Sequence, residues 1–330
     1  MRLDDKLIND FSDILDEATM AYYDALIEKE VERVTYVSAL TDVIDIFLDI
    51  DSHHLGLLEE DEQLKVTNKL EELSKLSLNS EEVRKALLLL IIKGFKQVHF
   101  SLDLITPDAI GIIFADIISS CFDKDDKLTL LDPNFGSGNL AFLLDNYMQQ
   151  ETTIIGVENN NLLAMFSQSL ANILDKDIQV YHQDALEMKP ALVDVVVSDL
   201  ATYVYNDSRY DSLLYKEGVK YFPYLLIEKY LEFGDDETLY FFLIDNDFFT
   251  QEKNDLFKKM LFSKGHIKAL VILPSSFFLG PAKSVLVLGK SSGQNTTHQA
   301  SSNIFVLPPL SDSNNFIQVL ESIKECLNEK

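Results

Sequence analysis

The chain has 330 residues, 47% of them apolar and 25% charged, and a formal net charge of −26. That length and composition suit a folded protein with room for two domains. The charge speaks against unaided tight binding to duplex nucleic acid, whose phosphates call for a basic face. The only arginines are Arg2, Arg33, Arg84 and Arg209, and no lysine–arginine cluster stands out. No apolar run reaches the eighteen residues of a membrane span, and Met1–Lys6 holds no apolar signal core. Cys121 and Cys326 are too few for a disulfide framework. A cytoplasmic protein without a membrane partner is the expectation.

Residues 1–98 read as an all-helical N-terminal domain. Phe11, Ile14, Leu15, Ala18 and Tyr22 recur at helical spacing with acids between them. Further helical runs cover Val31–Ile50, Glu62–Leu76 and a stretch from Ser80, where a serine before two acids signals a helix start. The adjacent His53 and His54 have no further ligand at metal spacing and read as a solvated pair, so no metal site is expected.

Residues 99–330 carry the chemistry. Thr106 sits where an N-cap belongs and Pro107 at a first helical position, opening a helix to about Phe122. Leu128–Leu131 is an apolar strand that ends at Asp132 and enters the turn Asp132-Pro133-Asn134-Phe135-Gly136-Ser137-Gly138. Two glycines permit positive φ and close approach of a ligand to the backbone, and Ser137 or Asn139 is placed to cap the next helix. Thr153–Glu158, Ile178–His182 and Asp194–Asp199 are further buried strands, alternating with helices. That alternation implies parallel βαβ units. Leu239–Ile244, Ile267–Leu273, Ser284–Leu288 and Ile304–Leu307 are later strand candidates, the last strands lying closer together and so spaced for antiparallel pairing. Ser291–Asn303 reads as an exposed loop. The fold class expected is α/β: a Rossmann-like, mostly parallel sheet with antiparallel strands near the C-terminal edge, preceded by the helical domain.

Four consecutive strands lead into acids: Asp132, Glu158, Asp184 and Asp199. Strand ends on one side of a parallel sheet line a common cleft. A carboxylate after the second strand suits a ribose diol. No lysine follows Gly138, as a phosphate-binding Walker loop requires, and the three glycines of a dinucleotide fingerprint are absent. An adenosine compound that is not a triphosphate fits best.

Asp132–Gly138 resembles the Asp-Pro-x-x-Gly-Ser-Gly motif of S-adenosylmethionine-dependent amino-methyltransferases. The likeness is to N6-adenine DNA methyltransferases and type I restriction modification subunits, and in length and layout to the compact YtxK-type family of Gram-positive bacteria. It implies S-adenosylmethionine as cofactor, with Thr106 and Pro107 on its methionine part and Asp132, Asn134, Gly136, Ser137 and Gly138 in the binding turn. Glu158 and Asn159 would meet the ribose, and Asp184 and Ala185 the adenine. The family's catalytic Asn/Asp-Pro-Pro-Tyr/Phe corresponds here to Asp199-Leu200-Ala201-Thr202, followed by Tyr203-Val204-Tyr205. Asp199 keeps the acceptor for a target amine. Both prolines are gone, and Tyr203 or Tyr205 would supply the stacking aromatic. Three readings follow. One is methyl transfer to an amine nitrogen, adenine N6 of nucleic acid being disfavoured by the charge but retained. Another is a cofactor-binding scaffold without chemistry, its N-terminal helices docking a protein partner or a second copy. The third is a methyltransferase for a small molecule or a protein side chain.

Overall fold

The computed structural model describes residues 3–290 and 303–328. The expected loop at Ser291–Asn303 therefore lies, save for Asn303, outside the described residues. The chain gathers into two compact units, one built from the described residues of Met1–Ile105 with Asn160–Gln179, the other from those of Thr106–Asn159 with Val180–Lys330. Among the described residues no helix is long and apolar enough to cross a membrane.

The first unit contains helices α1 (Asp5–Glu28), α2 (Tyr36–Phe47), α3 (Glu60–Leu73) and α4 (Ser80–Gln97). Phe11, Leu15, Ala18 and Tyr22 of α1 are buried, as their spacing predicts. Asn79, not Ser80, caps α4. Its Oδ1 accepts the N–H groups of Glu81 and Glu82, and Glu82 reaches back to the Asn79 N–H in a capping box. Asn wins because a short amide reaches two orphan donors from the residue before the first turn. His54 is half-buried, 3.7 Å from both Asp42 and Asp51, rather than solvated. The later helix α7 (Asn161–Ile173) belongs to this unit, where the Ser169 hydroxyl donates to Asp45 on α2.

The second unit holds α5 (Asp108–Ser120), β1 (Lys127–Asp132), α6 (Asn139–Tyr147), β2 (Glu151–Glu158) and, after the end of β3 (Ile178–His182), β4 (Val195–Asp199). There follow α8 (Leu213–Lys216), α9 (Phe222–Tyr230), β5 (Leu239–Asp245), α10 (Asn254–Lys264), β6 (Gly265–Ile272), β7 (Lys283–Lys290), β8 (Asn303–Val306) and α11 (Ser313–Asn328). Among the described residues eight strands form one sheet, in the order β3-β2-β1-β4-β5-β7-β6-β8. β1 pairs parallel with β2 and β4, and β4 with β5, whereas β7 runs antiparallel between β5 and β6. This is the expected Rossmann-like α/β class. The expected antiparallel pairing of the late strands holds for β7 with β5 and β6, whereas β8 pairs parallel with β6. The apolar core packs Leu131, Val196, Tyr240, Phe242 and Leu286 of the central strands against Leu226 and Ile227 of α9 and Phe257 of α10. Each large side chain buried this way is worth about 1.5–3 kcal/mol. The order turns back on itself at β1, between β2 and β4, and such a switch point opens a crevice at the carboxyl ends of the strands.

Candidate active site

Asp132 closes β1 at the bottom of that crevice and is 1% exposed. One carboxylate oxygen, Oδ1, accepts the Asn134 N–H at 3.0 Å and the Ser198 hydroxyl at 2.7 Å. Burial pushes its pKa up to about 7 against these two bonds, and the Asp199 and Glu158 charges add to the rise.

The turn beyond Asp132 folds back over β2. The Phe135 N–H donates to Val157 O, and its ring lies on Gly156, where an added Cβ would stand 2.3 Å from Phe135 Cδ2. That close approach brings the Gly136 N–H onto Glu158 Oε2 at 2.8 Å. Gly136 and Gly138 both take positive φ, 59° and 78°. Neither Ser137 nor Asn139 caps α6, contrary to the sequence reading. Gly138 is the cap residue and makes no side-chain bond. Asn139 instead donates from Nδ2 to Thr106 O at 2.7 Å and to Asp108 Oδ1 at 3.2 Å. The Ser137 side chain is buried, and its hydroxyl has no hydrogen-bond partner among the described residues.

Thr106 is likewise not a cap. Pro107 holds that position before α5, without a side-chain bond, and Thr106 is buried. Its hydroxyl donates to Asp199 Oδ2 at 3.0 Å, across 93 residues of sequence. Asp199 Oδ1 is taken by the Lys283 ammonium at 2.6 Å, and both side chains of that ion pair are largely buried. Lys283 begins β7 directly opposite Asp245 at the end of β5. Burial raises the Asp245 carboxyl, while Lys283 and hydrogen bonding from Thr202 lower it.

The third and second strand ends are joined next to these groups. The Gln183 N–H donates to Glu158 O, and His182 Nε2 meets Asn159 O at 3.2 Å. Asp184 accepts the Leu186 N–H at 2.9 Å and the Tyr205 hydroxyl at 2.8 Å. Ala185 is buried, and its carbonyl accepts the Tyr230 hydroxyl at 3.0 Å. The two loop tyrosines have parted company. Tyr205 is buried, tied to Asp184 and packed edge-on to Tyr210 and Tyr215. Tyr203 is 40% exposed and stacks on Phe222 at 4.3 Å and 19°. Burial, with the Asp184 and Glu158 carboxylates, raises the Tyr203 hydroxyl's pKa well above a free tyrosine's, so it stays neutral near neutral pH.

The site residues singled out from the sequence thus lie at or just beyond the carboxyl ends of β1–β4, apart from Thr106 and Pro107 before α5, of which Thr106 bonds Asp199. Sequence reasoning missed two. Ser198 was legible as the one hydroxyl in a run of valines. Lys283 was not, being a lone lysine 84 residues from Asp199 at the mouth of an apolar strand.

Residues 101–308 match the family model for N-6 DNA methylases. The chain is 29% identical over 259 residues to an uncharacterized protein, YtxK, of Bacillus subtilis (strain 168), covering 76% of this chain and 78% of that one. Among solved structures it is similar to a protein from Listeria monocytogenes assigned as a class I S-adenosylmethionine-dependent methyltransferase. The TM-score is 0.84 and the identity 24%, over 98% of this chain and 100% of that one. It is also similar to the type I restriction-modification methyltransferase subunit of Streptococcus thermophilus, with a TM-score of 0.65 and 15% identity over 98% and 94% of the two chains.

Proposed function

Because the chain belongs to the N-6 DNA methylase family and is an S-adenosylmethionine-dependent methyltransferase, we propose that it transfers the methyl group to an amine nitrogen held at Asp199. Two features fit the cofactor to the turn after β1. A buried serine hydroxyl there has no partner among the described residues, and two glycines in left-handed backbone leave room for a ligand against the chain. Thr106 and Pro107 would hold the methionine part, Asp132, Asn134, Gly136, Ser137 and Gly138 would line the turn, and Glu158 and Asn159 would take the ribose. Asp184 and Ala185 would flank the adenine. Bound there, S-adenosylmethionine supplies an electrophilic methyl on a sulfonium.

The observation that carries the acceptor assignment is the Thr106–Asp199 hydrogen bond, which ties the proposed methionine end of the cofactor to the proposed amine acceptor. Asp199 would accept an N–H of the incoming amine, fix its lone pair along the line of attack, and offset the charge that grows on nitrogen. Tyr203, backed by Phe222 and open on the remaining side, would stack on a flat acceptor such as adenine. Tyr205 acts one step back, holding Asp184. Labelled methyl transfer screened over DNA, RNA, protein and metabolite fractions tests this. Transfer that Asp199→Ala abolishes supports it, and cofactor binding with no transfer to any fraction overturns it.

The scaffold reading retains one specific observation in its favour. The Lys283 ammonium engages the very carboxylate that transfer would use, in a chain of net charge −26. On that reading a partner protein docks on the N-terminal helices.

A further inference from the structure

The turn after β4, Asp199-Leu200-Ala201-Thr202, contains no proline, so nothing covalent restricts its backbone. Even so, its first residue is fixed at both carboxylate oxygens. Oδ2 takes the Thr106 hydroxyl from the segment before α5, and Oδ1 takes the Lys283 ammonium from the start of β7. Lys283 is placed by the sheet itself. It stands opposite Asp245 in the antiparallel β5–β7 register, with Ser284 opposite Ile244 next to it. It also lowers the half-buried Asp245 carboxyl against the burial that raises it, and the Thr202 side chain of the same turn bonds that acid in turn. One cation therefore couples the first residue of the turn to the acid that holds the fourth. The turn's backbone is pinned separately, by Leu200 N–H to Leu243 O and by Phe222 N–H to Tyr203 O.

We propose that Lys283 is a positioning residue of the acceptor site, an ionic clamp that orients the Asp199 carboxylate and stiffens the proline-free turn. The catalytic half of this rests on the reading of Asp199 given above; the clamp itself does not. Chemistry favours a clamp over a plug. A carboxylate offers about four acceptor positions, and the two bonds use one on each oxygen. Each oxygen can still accept from an incoming amine, and a carboxylate held at both oxygens cannot swing away from it. A charge-assisted bond between two largely buried groups also loses little to solvent screening.

The test compares full-length wild type with Lys283→Met, which keeps the aliphatic stem, and Lys283→Arg, which restores the cation. Hydrogen exchange followed by mass spectrometry reads residues 199–205 with no substrate present. Lys283→Met is expected to speed exchange there at least tenfold, leave β5 and β7 peptides at 239–243 and 285–289 unchanged, and be reversed by Lys283→Arg. Should Lys283→Met not fold, Lys283→Gln carries the same comparison. Unchanged exchange at 199–205, or loss spread over the whole sheet, overturns the clamp. Where a methyl acceptor has been found, Lys283→Met is expected to cut kcat at least tenfold while KM for S-adenosylmethionine stays within twofold. A rise in kcat would make Lys283 a plug and overturn the proposal. Failure to find transfer at all would count against the Asp199 reading and leave the exchange result standing.

Discussion

Glu158 offers a test that separates binding from folding. Its carboxylate is 7% exposed and accepts the Gly136 N–H at 2.8 Å, so it braces the turn on which the cofactor would lie. A hydrogen bond to a buried charged group is worth about 1.5–3 kcal/mol, and the stranded Gly136 N–H is a further cost. Glu158→Ala should therefore lower both stability and cofactor affinity, which leaves the cause ambiguous. Glu158→Gln resolves it. The amide oxygen can still accept from Gly136, so the turn should stay folded with little change in Tm. The amide nitrogen can only donate, and the charge is gone. A ribose diol that donated to the carboxylate loses an ionic acceptor worth about 1.5–3 kcal/mol, which is roughly a 10- to 150-fold weaker Kd. Titration calorimetry with S-adenosylmethionine, alongside a thermal melt of each variant, measures both quantities. A folded Glu158→Gln protein that binds within twofold of wild type would refute the ribose assignment.

Other outcomes follow from single contacts. Gly138 has φ of 78°, and an added Cβ would stand 2.6 Å from Phe142 Cε2 and 2.8 Å from Phe135 Cε1. Gly138→Ala should cost roughly 1–2 kcal/mol in backbone strain before any ring moves, and an unshifted melting curve would contradict this. Asp132, raised by burial to about 7, is protonated in both states below about pH 4; between there and about 7 the unfolded chain ionises first, so its contribution to stability falls as pH rises through that window. The gain for Asp132→Asn relative to wild type should grow by about 3 kcal/mol between pH 4.5 and 8 in urea denaturation, and an equal difference at both pH values would disprove it. Tyr205→Phe deletes the hydroxyl on Asp184 and should destabilise by about 1–2 kcal/mol, with wild-type urea resistance as the contrary result.

Apolar periodicity located the helices and strands well, because burial of one face dominates both. It failed where a side chain had a choice of partner. Thr106, Ser137, Asn139 and Ser80 are all of types that cap helices, yet none of them caps. The Thr106 hydroxyl is drawn 93 residues away to Asp199, Asn139 is drawn to Thr106 O, and Asn79 outcompetes its neighbour. Local propensity cannot register a competitor that only the fold brings near. The pairing of β8 failed for a related reason. Close spacing suggested antiparallel pairing, but β7 already holds the antiparallel place beside β6, and β8 pairs parallel at the edge. Lys283 had no local signature at all, since a lysine opening a strand is ordinary until the sheet register sets it beside Asp199.

The four acids at strand ends looked alike in sequence, and their bonding now divides them. Asp132 accepts a backbone N–H two residues on, Asp184 does the same, and Glu158 takes the N–H of Gly136 from the neighbouring turn. Each spends part of its charge on holding backbone, so a capping role and a ligand-facing role coexist in one carboxylate. Asp199 differs. Among the described residues its oxygens accept only from side chains, Thr106 and Lys283, and no backbone donor depends on it. Burying an ion pair roughly cancels its own attraction, so the Asp199–Lys283 pair can hold the turn in place while adding little to global stability. On the proposed reading, the acceptor positions left on its two oxygens are what Asp199 offers an incoming amine.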